Sequence, residues 1–589
     1  MFGGDAKAAE ESKLFEAKLP GNTPFVVAAD DLAATCAAWQ TTQLGQLLCG
    51  ELFIPIRQAA AKRSVATLLY LRPCFGFDWG DLSSYTGPAA LAVVPVGGGR
   101  VGVAWVFSTS KQPADKLFAA GRTYFRDRGY EETAETLGGA KLTVFNPPAK
   151  DRLSDCPTYL VLESIAVAAS NRGAAVAIWE QFNGRTETSL GSLKDFSDLA
   201  AGRPNGVSGP SLRWWLRPLE LWAVLRGGTK SVPRSDWLAI ARRQGGESIR
   251  AIGGQITFPT SGPTDLDLRG RILVSQPLTK AAKLLDFSAA PPLAIPEWLG
   301  GNVASVSLWG CSVPEAVTAF GHLFDEINEP GPKGEGVFQE MMAALRDDPE
   351  GPQVDLLRDL FPHLGPGVLQ ATDCREHNGK GKGKTTTRCT LYVLQCRNHD
   401  TVARTLKRFY VGDKDVHEQA IGKDTLWTIA EGRSLLFEGS GQSVAEVRAI
   451  LVSDKTVVFA TEPEMLTDHL SGRSDSGLAE SAAYKAVLKW RQTNENRGAR
   501  DTGFVQLAFW LEPSYDSVLA RTSSDDWAAA MLRLLFTGSH QPSASFPVED
   551  LPTFAKIAPF LPPMGSLREK DAGGWDVSAS TLRGLLRKP

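Results

Sequence analysis

The chain has 589 residues, 43% hydrophobic and 22% charged, with 63 basic against 66 acidic side chains and a formal net charge of −3. That length exceeds a single core, so two to four domains are expected, and the ordinary globular mix excludes long-range disorder. A near-neutral balance speaks against a dedicated nucleic-acid binder, and no apolar run approaches the ~18 residues of a membrane-spanning helix, so no transmembrane segment is expected.

Residues 1–22 open with "MFGGDAKAAEESKLFEAKL", which lacks a basic stretch followed by an apolar one and is not a signal peptide. It reads as a short exposed helix or a tail. The protein is then exported or periplasmic if a signal lies upstream of Met1, and cytoplasmic otherwise.

A first unit is expected over residues 23–290. "TPFVVAADDL" reads as a strand ending in a turn, and "AATCAAWQTTQLGQLL" as a helix through the spacing of Trp39, Leu44 and Leu47. "AALAVVPVGGGRVGVAWVF" is a β-hairpin, two β-branched runs around Gly97–Arg100. The helical segment "ADKLFAAGRTYFRDRG" follows, then short strands, a further helix and "LRWWL", whose strand ends before Pro218. "SAAPPLAIPEW" (Ser288–Trp298), stiffened by Pro291, Pro292 and Pro296, is the expected linker.

A second unit is expected over residues 291–589. "VASVSLWGC" is a strand and "PEAVTAFGHLFDEI" a helix with Pro314 in its first turn. "GVLQATDC" and "RCTLYVLQC" are strands around a long polar loop, and "DTVARTLKRFYVG" is the next helix.

The units echo each other in order. Asp81–Pro88 and Asp359–Pro366 share D-L-x-x-x-x-G-P; Leu137–Phe145 aligns with Ile421–Ile429, and Val167–Ser170 with Val458–Thr461. "WWLRP" (Trp214–Pro218) aligns with "FWLEP" (Phe509–Pro513), and Ser235–Trp237 with Asp525–Trp527. The expected architecture is α+β, two tandem pseudo-repeat halves, each of antiparallel strands and hairpins packed with helices. Each Trp-Leu-x-Pro should close a strand, with its tryptophan anchoring the core.

The loop "HNGKGKGKTTTR" ends in Gly383-Lys384-Thr385, the tail of a phosphate-binding loop, but Asn378 stands where the first glycine belongs and a strand follows where a helix is required. It reads as a solvated hairpin tip whose Lys380, Lys382 and Lys384 are candidates for contact with an anionic surface. Cys374 and His377, with Cys396 and His399, have the look of zinc ligands. Cys389 and Cys396, however, lie seven positions apart on one strand and point to opposite faces. No metal site and no cofactor are expected. Cys374 and Cys389 flank the loop, either bridged in an oxidising compartment or free as thiols. His363 stands where Tyr85 stands in the aligned motif, which suits a structural position. No nucleophile elbow is present, and no catalytic residue is assigned.

Leu19, Pro20 and Thr23, then Asp31 and Leu32, then Thr42, Leu44 and Gly45 form a pattern that, with "DLFPHLGPGVLQATD", resembles a family of large bacterial proteins. These planctomycete-type proteins, secreted or membrane-associated, are known only as a domain of unknown function. The resemblance implies export and carries over no activity and no site residue. The expected function is therefore a non-catalytic binding or structural protein of the cell envelope, partnered by other envelope proteins or an anionic surface. The alternative is a hydrolase with its site in the cleft between the halves.

Overall fold

The computed structural model describes residues 14–583 except 64–66, 68–69, 98, 112, 149–155, 187, 202–208, 227–235, 287–292, 302, 329–335, 380–382, 431–446, 471–476, 495–500, 522–526 and 538–547. Mixed helices and antiparallel strands make it an α+β protein. The first ten strands are β1 (Phe25–Ala29), β2 (Ala89–Pro95), β3 (Val101–Ser108), β4 (Glu131–Leu137), β5 (Ala140–Asn146), β6 (Thr158–Val161), β7 (Ile165–Ala169), β8 (Ser211–Leu216), β9 (Ile249–Thr257) and β10 (Thr264–Val274). The next ten are β11 (Ser305–Gly310), β12 (Leu364–Gly379), β13 (Gly383–Cys396), β14 (Val416–Ile421), β15 (Asp424–Ile429), β16 (Ala449–Val452), β17 (Thr456–Ala460), β18 (Asp501–Gln506), β19 (Pro563–Asp571) and β20 (Gly574–Leu582).

All pair antiparallel in one sheet. From one edge the order is β4-β5-β6-β7-β3-β2-β1-β8-β9-β10. From the other edge it is β14-β15-β16-β17-β13-β12-β11-β18-β19-β20. The two runs meet where β10 pairs with β20, Leu268 opposite Ala579 and Leu273 opposite Gly574. The outer strands β4 and β14 are short and charged, and their edges are blunted against further pairing by Glu131, Glu132 and Glu135 and by His417 and Glu418.

Helices cover both faces, so the strands bury alternate side chains into two layers. In the first lobe Val26, Ala28, Ala90, Ala92, Val106 and Val167 join Ile178 and Trp179 of the helix Arg172–Phe182. The opposite face is aromatic: Phe75, Phe77, Phe107, Phe145 and Tyr159 pack with Phe118 and Phe125 of the helix Asp115–Asp127. Covering on both sides explains why "AALAVV" has no polar alternation. In residues 291–583 the sheet is likewise packed on both sides, around Leu369, Leu391 and Val458 on one face and Ile450, Val457 and Trp427 on the other.

The hairpin at Gly97–Arg100 forms as read, with Gly97 at φ 82° and Gly99 at φ 71°, the left-handed region that glycine enters without penalty. Val103 N–H donates to Ser170 Oγ at 3.0 Å and Ser170 N–H to the Val103 carbonyl. Thr390 and Thr461 make the same two contacts in the other lobe, with Thr390 N–H 2.9 Å from Thr461 Oγ1.

Three expectations are corrected. "FWLEP" does not close a strand: β18 ends at Gln506, and Phe509–Pro513 lie inside the helix Leu507–Leu519. "WWLRP" behaves as read, β8 ending at Leu216 and a helix starting at Pro218. The two motifs therefore occupy different places; a short apolar run such as "LAFWL" suits a buried strand and a buried helix equally. Trp215 is a core anchor, whereas Trp510 is half-buried. Second, the expected polar loop after Cys374 is mostly strand. β12 runs to Gly379 and β13 begins at Gly383, with the β-branched Thr385, Thr386 and Thr387 in the ladder.

Third, the part of residues 1–22 that is described is no exposed tail. Phe15–Lys18 form a short 3-10 turn, Leu19 is fully buried, and Glu16 is 2% exposed. Glu16 reaches Arg213 of β8 through two bonds, Arg213 Nε to Oε1 at 2.6 Å and Nη2 to Oε2 at 2.9 Å. Arg213 Nη1 donates to Asp30 at 2.6 Å. The start of the chain is thus pinned into the first core by a desolvated ion pair. Residues 1–13, and residues 288–292 of the expected linker, lie outside the described residues.

Candidate functional site

The lobes are joined by polar ties along the β10–β20 seam. Arg271 donates to Asp571 at 2.7 and 2.8 Å and to Asp576 at 2.8 Å. Arg269 donates to Asn494 at 3.0 Å, Ser580 to Asp267, and Lys570 pairs with Asp286. Helices reinforce the join. Arg243 and Gln244 of the first lobe bind the buried Glu326 on the helix Val313–Asn328. Leu47, Phe53 and Ile56 of the first lobe pack with Tyr515, Val518, Ala529 and Phe536 of the second.

At one end of the seam a cleft of about 390 Å³ opens, lined by Thr41, Gln43, Gln46, Thr260, Asp265 and Arg583. Arg583 follows β20 and the other five residues belong to the first lobe, so this is a junction site. Asp265 is 2% exposed, and both its oxygens are engaged: Oδ1 accepts from Arg583 Nε at 3.2 Å and Oδ2 from the Gln43 backbone N–H at 2.8 Å. Arg583 also donates to the Pro259 carbonyl. With one donor on each oxygen, the buried Asp265 ties the Gln43 backbone to Arg583 after β20, a structural engagement across the junction. Nothing in the sequence singled out Asp265 or Arg583, because a single aspartate and a single arginine carry no spacing signal.

The predicted thiol and lysine residues are dispersed by the register. Cys374 stands opposite Arg388 and Cys389 opposite Asp373, so the two cysteines face opposite sides of the sheet. No disulfide joins them in this structure. Cys389 sits in the apolar core with Leu391 and Val393. Lys380 and Lys382 lie outside the described residues, and Lys384 is in β13 opposite Asn378. Among the described residues no group of three or more histidine, cysteine, aspartate or glutamate side chains is placed to hold a metal ion.

Cys374 and Arg388 serve instead to complete the helix that carries "FWLEP". Pro513 has no N–H, which leaves the Phe509 carbonyl without its helical donor. The Cys374 Sγ–H donates to that oxygen at 3.1 Å. Arg388 donates to the Trp510 carbonyl at 3.3 and 2.7 Å, reaches Ser514 Oγ, and lies 4.5 Å over the Trp510 ring. This forked, stacked contact suits arginine alone. Arg388→Lys should therefore cost about 1.5–3 kcal/mol, the value of hydrogen bonds to a charged group, read as a shift in the denaturation midpoint; a neutral effect would sink the capping role.

Burial pushes the Cys374 thiol up to about 12, Cys389 to about 12 and Cys36 to about 11. Activated thiols move the opposite way, so a cysteine nucleophile is unsupported at these positions. In the native protein at pH 8, iodoacetamide should label the exposed Cys49 first, with Cys374 and Cys389 slower by more than about tenfold. Peptide mapping after a timed quench reads this out; equal rates would contradict the burial.

Among the described residues no helix is long and apolar enough to cross a membrane. No family model, curated protein or solved structure matches the chain.

Proposed function

We propose that the chain is a tandem pseudo-repeat whose two lobes form a non-catalytic binding or structural protein of the cell envelope. The observation that carries the reading is the sheet: ten strands of residues 23–290 and ten of residues 291–589 follow the same order and meet antiparallel at β10 and β20. Four of the five sequence echoes support it. D-L-x-x-x-x-G-P leads into β2 and β12, Leu137 and Ile421 end β4 and β14, Ala169 and Ala460 end β7 and β17, and Trp237 and Trp527 open helices. The buried charges support a scaffold: Glu16 with Arg213 and Asp265 with Arg583 each tie distant elements together. An envelope location rests on the family resemblance. Contact with an anionic surface through Lys380, Lys382 and Lys384 belongs to the same proposal.

The hydrolase alternative would place its site at the lobe junction, and the burial of Asp265 and its pairing with Arg583 weigh against it. The test has two arms. Fractionation of cells producing the chain should recover it with the envelope; recovery wholly in the cytosol overturns the location. A panel of ester, phosphate and glycoside chromogenic substrates should show no turnover that Asp265→Asn abolishes; such turnover would establish the hydrolase. Vesicles containing anionic lipid should bind the wild type more tightly than the triple alanine variant at Lys380, Lys382 and Lys384, and equal binding removes the loop from the proposal.

A further inference from the structure

The cleft at the lobe junction has a composition that selects its ligand. Among the described residues its charged groups are Asp265 and Arg583, which pair at 3.2 Å. An ion entering here would lose hydration with no uncompensated countercharge to offset the loss. The remaining lining groups, Thr41, Gln43, Gln46 and Thr260, are hydroxyls and amides, each able to donate and to accept. The Thr41 hydroxyl donates to the Ala38 carbonyl at 2.8 Å and Gln46 Nε2 to the Thr41 carbonyl at 3.1 Å, which leaves the hydroxyl lone pairs and the Gln46 amide oxygen as acceptors. Two residues before Thr41 and Thr260, Trp39 and Phe258 meet edge to face at 5.9 Å and brace the segments that carry them. The volume of about 390 Å³ lies within the ordinary range for a small-molecule site.

We propose that this cleft binds a neutral, hydroxyl-rich small molecule of about one sugar ring, held jointly by the two lobes. A ligand whose groups both donate and accept matches a lining that does the same. The inference rests on the binding reading above and names its ligand class. Glycoside cleavage uses a pair of carboxyl groups; among the described residues this lining holds one, paired with Arg583, which fits binding without cleavage.

Saturation-transfer NMR on the full chain tests this with D-glucose, N-acetyl-D-glucosamine and D-glucuronate as probes. The neutral sugars should bind with Kd values of about 1–10 mM, and glucuronate more weakly. Gln46→Trp, at an exposed position, should fill the cleft and weaken binding at least about tenfold. Thr260→Ala removes one exposed hydroxyl and should weaken it by roughly three- to tenfold; it serves as the measure if Gln46→Trp misfolds by circular dichroism. Transfer that is equal in wild type and variant, strongest for glucuronate, or absent up to roughly 50 mM overturns the proposal. A cytosolic result in the fractionation would remove the envelope location and leave this outcome standing, so the two failures are distinguishable.

Discussion

Glu16→Ala is expected to lower the stability of the first lobe by about 3–5 kcal/mol, because it strands the Arg213 guanidinium in a desolvated site. The Glu16 and Arg213 side chains are 2% and 6% exposed and meet through two parallel bonds, so neither finds water when the other is removed. Asp30, the third member, is 73% exposed; Asp30→Asn should cost within about 1 kcal/mol. The contrast between the two substitutions is the prediction. A double change to apolar residues of similar volume, Glu16→Leu with Arg213→Met, should recover most of the loss, since the pair's attraction is set against its own desolvation. A chain of two lobes need not unfold in one step, so hydrogen exchange of the β1 and β8 amides is the proper readout. A loss below about 1 kcal/mol for Glu16→Ala would mean that Arg213 reaches solvent by another path.

Gly121→Ala should destabilise the aromatic layer by about 1–3 kcal/mol, the usual result of overpacking. Gly121 lies on the helix Asp115–Asp127 directly against Tyr159, and a methyl group there would overlap the tyrosine hydroxyl. That hydroxyl cannot swing aside. It donates to the Phe75 carbonyl at 2.6 Å, and its ring stacks on Phe118 at 4.2 Å. Gly76 faces the same point at φ 78°, so the loop carrying Phe75 is equally confined. Tyr159→Phe alone should cost roughly 1 kcal/mol for the lost bond. In the Gly121→Ala background it should cost less, because removing the oxygen relieves part of the overlap. A double-mutant cycle measures this coupling; strictly additive losses would show that the two residues do not share the space.

Much of each lobe was legible because its determinants are local. "AALAVVPVGGGRVGVAWVF" could only be a hairpin: two β-branched runs flank glycines that take the left-handed conformation. The antiparallel α+β character followed from several such units. The failures were local ambiguities settled by distant partners. "LAFWLEP" reads as a strand end on its own. It lies in a helix, where Cys374 gives the Phe509 carbonyl the donor that Pro513 cannot and Arg388, on the neighbouring strand, binds the Trp510 carbonyl. "FEAKL" reads as part of a solvated tail, and its Glu16, Ala17 and Leu19 are buried because Arg213 binds Glu16 and the first core takes in Ala17 and Leu19. Cys374 and Cys389, which the sequence leaves either bridged or free, stand one residue out of register, which turns their side chains to opposite faces.

The amino-acid sequence by itself determined hairpins such as β2–β3 and helices such as Asp115–Asp127, since backbone preferences and side-chain alternation act over a few residues. It also carried the echoes between the two halves in D-L-x-x-x-x-G-P and the β4–β5 and β14–β15 turns. Only the tertiary structure decided which charges meet. Asp265 and Arg583 lie 318 positions apart, and Glu16 and Arg213 lie 197 apart. With 63 basic and 66 acidic side chains in the chain, complementarity alone cannot choose among partners. The choice is made when β10 pairs with β20 and β1 with β8, because strand register brings chosen side chains within hydrogen-bonding reach and holds the rest apart.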